Sequence, residues 1–376
     1  MLQKTPPLGW NSWNTFASEI HETLIYETAD TMVESGLRDA GYRYLVIDDC
    51  WSLKERDADG RLVADPAKFP HGMKAVADYV HSKGLLFGMY SCAGNLTCAG
   101  YPGSFEHEFV DAETFASWGV DFLKYDYCYH SNIIHGKYLY RRMGMALKNC
   151  GRDILLSACS WGADETAQWI RETGANMWRS TGDIVDSWSS IRSLTEQQDT
   201  ILPYGGAGCF NDMDMLVVGM YGKGNVGVEG LNDIQYRTHF SLWALMASPL
   251  MIGCDIRQMN RETLEILTNR EMLAINQDED ARQVMKLTAL WGGDSMKCYA
   301  RLLSNGDLAI GCFNFAAERG SAQLNLDELG LPESTGKTLE MHEVWTGENV
   351  RVKNGTFIHD VEPYGCLVYR CRIVDR

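Results

Sequence analysis

No stretch of the 376 residues approaches the ~18–20 consecutive apolar residues that span a bilayer, so no transmembrane helix is expected. Positive charge is scarce: 34 Lys and Arg face 50 Asp and Glu, giving a formal net charge of −16. That field repels phosphate backbones and anionic headgroups at long range, which argues against nucleic acid and acidic membranes as partners. The start of the chain, Met1 to Pro7, has no apolar leader stretch, so a soluble, cytoplasmic protein is expected. Neither a Cys-x-x-Cys pair nor a His-x-His or His-Glu-x-x-His motif occurs, so the usual zinc sites have no support. An Asp-only Mg²⁺ or Ca²⁺ site is the remaining metal alternative, and the reading adopted is no metal and no cofactor. The twelve cysteines are mostly isolated in apolar segments and read as reduced core thiols. A glycine-rich phosphate turn after the first apolar segment is also missing, which argues against a doubly wound dinucleotide-binding sheet. Gly222 to Gly227 does match Gly-x-Gly-x-x-Gly. It lacks the acidic residue closing a second strand about 20 positions on, so it reads as a long loop.

What is present is a repeated alternation of short apolar runs with amphipathic stretches, the pattern of βα units. The spacing predicts strands over Leu8–Asn11, Tyr44–Asp49, Leu86–Tyr90, Phe122–Asp126, Ile154–Cys159, Met177–Thr181, Met213–Val218 and Leu250–Gly253. Helices are predicted between them, among others Glu22–Ala40, Ala112–Trp118, Asp233–Met246 and Arg261–Ile275. Eight such units predict a (β/α)₈ barrel over residues 1–283. Beyond about Gln283 the helical period stops and alternating runs appear, such as Met296–Leu303 and Asp307–Phe315, joined by turn pairs like Asn305-Gly306. Residues 284–376 are therefore expected to form a separate C-terminal antiparallel β domain, a sandwich.

In such a barrel, chemistry belongs at the C-terminal ends of the strands. There the sequence places acids: Asp48 and Asp49 after the second strand, Asp126 after the fourth, Asp183 after the sixth. Carboxylates crowded at one rim repel one another, so they persist where they serve an acid–base pair, a metal or a polyhydroxylated ligand. Lys124, two residues before Asp126, shares its face of the strand and favours the ionised form that a nucleophile needs. Trp10, Trp13, Trp51, Tyr90, Tyr101, Tyr127, Trp161 and Trp178 also fall near strand ends. Aromatic rings beside carboxylates suit a carbohydrate, whose apolar faces stack while its hydroxyls donate.

These segments resemble glycoside hydrolase family 27, the melibiase-like α-galactosidases and α-N-acetylgalactosaminidases. The matching motifs are Pro7 to Trp13, Ile47-Asp48-Asp49-Cys50-Trp51, Gly94 to Ser104, Lys124 to Cys128, Trp178-Arg179 through Asp183, and Asn211-Asp212-Met213-Asp214-Met215-Leu216. The resemblance implies a retaining exo-glycosidase, with Asp126 as nucleophile and Asp183 as general acid/base. That mechanism asks for two carboxyls about 5–5.5 Å apart, one ionised and one protonated. It further implies that Asp48 and Asp49 hold the 4- and 6-hydroxyls, that Trp13 and Tyr90 shape the pocket, and that Lys124 and Arg179 donate to ring hydroxyls. Cys98 and Cys128 correspond to the family's cysteine pair near the nucleophile.

After the fifth strand the sequence reads Cys159-Ser160-Trp161-Gly162-Ala163, where α-galactosidases usually carry Cys-Glu-Trp. Ser160 and Ala163 resemble the small residues by which α-N-acetylgalactosaminidases admit a 2-acetamido group. The expected activity is thus removal of terminal α-linked N-acetylgalactosamine. The alternative is an α-galactosidase, and the remote one a non-catalytic sugar-binding protein on the same barrel. The expected partner is a small-molecule or glycan substrate; a homo-oligomer is compatible with the sequence.

Overall fold

The computed structural model describes residues 2–288 and 293–376; Met1 and residues 289–292, which fall in the expected leaderless start and in the C-terminal domain, lie outside the described residues. Eight parallel strands run β1 (Leu8–Asn11), β2 (Tyr44–Val46), β3 (Leu86–Cys92), β4 (Phe122–Asp126), β5 (Leu155–Cys159), β6 (Met177–Arg179), β7 (Phe210–Asp212) and β8 (Leu250–Ile252). Their order is β7-β6-β5-β4-β3-β2-β1-β8, each pair parallel, with helices in the connections. One further parallel bridge, Leu216 to Ile252, closes the cylinder. Inside it, Tyr44, Phe122, Leu155, Met177, Phe210 and Met251 fill the space among the strands, as large side chains do in a barrel too narrow to be a pore.

The seventh stave departs from the predicted position. Phe210–Asp212 pairs with β6, the chain then breaks at Asp214 (φ +83°), and Leu216 makes the closing bridge. The run Met213–Val218 was expected as the strand because it is apolar and buried; most of it is irregular backbone packed inside the protein. Two predicted helices are each divided. Glu22–Glu34 and Leu37–Ala40 are separated by Gly36 in the left-handed region, and Arg261–Leu267 and Arg270–Asn276 by Asn269, whose side chain caps the second of them.

The C-terminal strands are β9 (Met285–Leu287), β10 (Met296–Leu302), β11 (Leu308–Asn314), β12 (Gly320–Asn325), β13 (Lys337–Glu343), β14 (Asn349–Arg351), β15 (Thr356–Val361) and β16 (Cys366–Asp375). Six form an antiparallel sheet in the order β14-β13-β16-β11-β10-β9, and β12 and β15 pair as a second layer. Between the layers lies a separate apolar core that includes Ile310, Leu324, Leu339, Met341 and Phe357. This sandwich rests on the barrel helix Asp233–Leu245. The Trp345 indole donates to Ser241 Oγ at 3.0 Å, and Thr238 Oγ1 donates to the Tyr364 carbonyl at 2.8 Å. Among the described residues, no helix is long and apolar enough to cross a membrane.

Candidate active site

Alternation along β4 turns Lys124 and Asp126 to one side of the sheet. The Lys124 ammonium lies 2.7 Å from Asp48 Oδ2, which also accepts from Asn11 Nδ2 at 2.8 Å. Asp49 is fixed by backbone: Cys50 N–H donates to its Oδ1 at 2.7 Å and Ala99 N–H to its Oδ2 at 3.0 Å. Asp126 accepts from the Tyr127 N–H at 2.9 Å and from the Tyr90 hydroxyl at 3.0 Å. Cys98 and Cys128 form a disulfide with a Cα separation of 5.1 Å, tying the loop after β3 to the end of β4. Gly94 is required at this crossing, because a Cβ there would stand 2.1 Å from the Cys128 carbonyl oxygen.

Across the mouth, buried Arg179 at the end of β6 spans two carboxylates. Nη2 donates to Asp183 Oδ1 and Nη1 pairs with Asp214 Oδ1, both at 2.9 Å. The Asp183 side chain is 71% exposed, and its carboxylate stands at the open rim. Asp48, Asp49, Lys124, Asp126, Arg179 and Asp183 line one cavity of about 290 Å³, walled in part by Trp13, Tyr90 and Trp161. That is near the small end of the ~300–1,000 Å³ typical of small-molecule sites, and it suits one sugar ring. A groove of about 630 Å³ on the sandwich is larger, but its Arg370, Arg372, Asp307 and Glu340 pair among themselves and it offers no comparable arrangement.

Two expected residues are not brought to the cavity. Trp161 (φ +56°) and Gly162 (φ +83°) turn the chain after β5 so that the indole faces the cavity. Ser160 is fully buried behind it, with Oγ 2.6 Å from Thr166 Oγ1, and Ala163 opens a short helical turn away from the cavity lining. Of the other rings near strand ends, Trp10, Trp51, Tyr127 and Trp178 are buried, and Tyr101 lies under Lys54 at 3.5 Å. Asp214, reached by the break in the seventh stave, and Asn225 and Val226 from the Gly222–Gly227 loop also line the cavity without a role in the sequence expectation, as do Asn14, Ile184, Val185 and Met215.

In the free site the proton affinities of the two central carboxyls are ordered opposite to the expectation, Asp126 above its ordinary value and Asp183 below it. Burial pushes Asp126 up to about 6, against the pull of Lys124 and the Tyr127 N–H. The Lys124 ammonium, bonded to Asp48 rather than to Asp126, only partly offsets that burial. Burial also works to raise Asp183, but the Arg179 guanidinium, Lys124 and the hydrogen bond from Arg179 outweigh it and hold Asp183 below the usual carboxylate range. Asp212 beneath the cavity is pushed up to about 7 by burial. Burial is the main cause of these upward shifts, and the crowding of six carboxylates around two cations adds to it. Among the described residues, one cluster has three potential metal-ligating side chains, Cys98, Asp126 and Cys128, and its two sulfurs are joined to each other.

The family model for alpha galactosidase A matches residues 5–278, and that for the alpha galactosidase C-terminal beta sandwich domain matches residues 293–371. Alpha-galactosidase 3 of Arabidopsis thaliana is 44% identical over 369 residues, 98% of this chain and 82% of that protein. Alpha-galactosidase A of Cellvibrio japonicus is 46% identical over 390 residues, 98% and 92% of the two chains. The solved structure of α-galactosidase from Saccharomyces cerevisiae with raffinose superimposes with a TM-score of 0.89 at 30% identity, covering 99% of this chain and 98% of that one. With the barrel, the sandwich and the acid-rich cavity in place, these matches establish that the chain belongs to glycoside hydrolase family 27, the melibiase-like family, and is a glycoside hydrolase.

Proposed function

We propose that the enzyme is an exo-acting, retaining α-galactosidase that removes terminal α-D-galactose through a covalent galactosyl-Asp126 intermediate. The observation that carries this reading is that Asp126 and Asp183 border one small cavity open to solvent on the Asp183 side. Asp126 attacks the anomeric carbon as its bond to the leaving oxygen breaks, and Asp183 gives that oxygen a proton. Water then attacks the same carbon and gives a proton to Asp183, and the Asp126 carboxylate is released. Two inversions leave the configuration retained. Lys124 and Arg179 donate to ring hydroxyls, and Asp48 and Asp49 accept from others. A sugar oxygen that takes a hydrogen bond from Arg179 weakens its hold on Asp183. Exclusion of water by the same sugar disfavours the charged carboxyl, so both effects move Asp183 toward the protonated form that the first step needs.

The choice of sugar rests on the wall after β5. A 2-acetamido group needs room and a partner, and there an indole held by two left-handed residues fills the wall while Ser160 bonds to Thr166. The α-galactosidase names of the Arabidopsis and Cellvibrio relatives support the same choice. Comparison of kcat/KM on the p-nitrophenyl α-glycosides of galactose and N-acetylgalactosamine should favour galactose by at least about tenfold. A preference for the acetamido sugar would return the assignment to α-N-acetylgalactosaminidase, and binding without release of either would leave the sugar-binding reading.

The pH dependence follows from Asp126. The nucleophile must be ionised, and kcat/KM reports the free enzyme. With Asp126 pushed up to about 6, kcat/KM on an activated aryl galactoside should rise tenfold per pH unit below that value and level off above it. An aryl-galactoside profile already flat at pH 4.5 would contradict that assignment.

A further inference from the structure

The Asn211-Asp212-Met213-Asp214 run supplies no group to the steps above, yet the Asp214 carboxylate is ringed by donors. Arg179 Nη1 and the Met215 N–H reach Oδ1 at 2.9 and 2.7 Å, and the Ile184 N–H reaches Oδ2 at 2.7 Å. Two of these three donors bear on Asp183. Ile184 is the next residue in the chain, and Arg179 grips Asp183 through its other terminal nitrogen. Asp214 is itself held in the left-handed region at φ +83°, a conformation that a non-glycine residue keeps only where its surroundings over-determine it. Its N–H donates to Asp212 Oδ1 at 3.0 Å, and its carbonyl accepts from Trp243 Nε1 at 2.7 Å.

We propose that Asp214 is a positioning residue for the proton-transfer group: it shares the charge of Arg179 with Asp183 and pins the peptide after Asp183, so the broken seventh stave sets how firmly Asp183 holds its proton. This rests on the reading of Asp183 as general acid/base. The Arg179–Asp214 pair lies at the base of the cavity, where the guanidinium is 5% and Asp214 7% exposed and solvent screens little, while Asp183 reaches the same guanidinium from the rim. Without the Asp214 charge, Arg179 would bear on Asp183 alone and the carboxyl would release its proton more readily. The other titratable and charged groups facing this trio are Lys124 and Asp126 from β4, Cys159 from β5 and Asp212 from β7. Burial keeps the Cys159 thiol neutral, and among the described residues no second anion takes the Arg179 Nη1 position that Asp214 holds.

The test is Asp214→Asn, assayed on two leaving groups. The sucrose released from raffinose leaves through an alkoxide oxygen that needs a proton, whereas 2,4-dinitrophenolate needs none. A lost charge at this range lowers the proton affinity of Asp183 by about one pH unit, so at neutral pH the protonated fraction falls about tenfold. Raffinose kcat/KM should therefore drop about tenfold and that of 2,4-dinitrophenyl α-galactoside less than about threefold. Equal losses on both, as a merely structural role would give, or no loss on either, overturn the proposal. If Asp214→Asn does not fold, Trp243→Phe, which removes the indole's hold on the Asp214 carbonyl and trims a buried ring, should show the same split between the two substrates at about two- to threefold, and its absence is equally decisive. Asp183→Ala run alongside separates the two levels of the argument. If Asp183→Ala lacks the split, the acid/base reading fails; if it has the split and Asp214→Asn does not, only the role of Asp214 fails.

Discussion

Asp126→Asn should lower kcat on every galactoside by on the order of 10⁴-fold or more while the folded protein still binds galactose, because the group that forms the covalent bond is gone and nothing else in the cavity replaces it. The nearest nucleophilic atoms are already committed. Asp48 is paired with Lys124, both Asp49 oxygens accept backbone N–H groups, and Cys98 is bridged to Cys128. Thermal unfolding should change little, since the amide keeps an acceptor for the Tyr127 N–H and buries no charge. A smaller residue gives the sharper form of the test. Asp126→Gly leaves a space on the nucleophile's side that azide can occupy, and a single displacement there inverts the anomeric centre. The expected product from an aryl α-galactoside is β-galactosyl azide. Formation of the α anomer, or activity within tenfold of the unaltered enzyme, would remove Asp126 from the role.

The residues that carry this prediction were legible without a structure because their signal is local. Lys124 and Asp126 alternate along a strand whose limits, Phe122 to Asp126, the apolar run fixes at both ends. Asp48 and Asp49 were placed inside the predicted strand Tyr44–Asp49, whereas β2 ends at Val46 and the two acids follow it in the loop. Asp214 was not legible, for a physical reason. The apolar run Met213–Val218 is longer than the strand beside it, and burial alone made it read as the stave, so Asp214 fell inside a predicted strand rather than at a rim. The break at Asp214 depends on Asp212 and Trp243, partners 2 and 29 residues away. Ser160 differs in kind: the family resemblance implied it beside the cavity, but the left-handed turn at Trp161 and Gly162 exchanges which side chain faces it. A non-glycine positive φ leaves no mark in composition. Nor could the sequence weigh the burial of Asp126 against the pull of a Lys124 that is bonded to Asp48, and burial prevails. In the sandwich, the apolar runs Met296–Leu303 and Asp307–Phe315 were found as β10 and β11, whereas β12 and β15 mix polar and apolar residues and form only a two-stranded layer.

Asp183→Ala should divide the substrates by leaving group. The sugars released from natural galactosides such as raffinose leave through alkoxide oxygens, and loss of the positioned proton should slow these substrates by about 10²–10⁴-fold. Aryl galactosides with acidic phenols need little help in the first step, so their galactosylation should stay within about tenfold. The second step is then limiting, because water must attack galactosyl-Asp126 without a base. The intermediate should accumulate, giving a burst of nitrophenol equal to the enzyme concentration, with kcat and KM falling together. Exposure of Asp183 at the rim makes a rescue measurable, since a small anion can enter where the carboxylate stood. Azide, needing no base, should restore turnover and yield α-galactosyl azide, the product of two inversions. This is the opposite anomer from the one expected of Asp126→Gly, so the pair of products assigns the two carboxylates to their steps independently of any rate. Arg179 adds a further expectation within the same experiment. Once Asp183 is removed, the guanidinium keeps only Asp214 as an ion-pair partner. Its freed nitrogen then faces the open rim, and the anion that rescues the second step enters beside an uncompensated positive charge, so rescue should saturate at lower azide concentration as ionic strength falls. Equal losses on raffinose and on dinitrophenyl galactoside, with no burst, would assign proton transfer to a different residue.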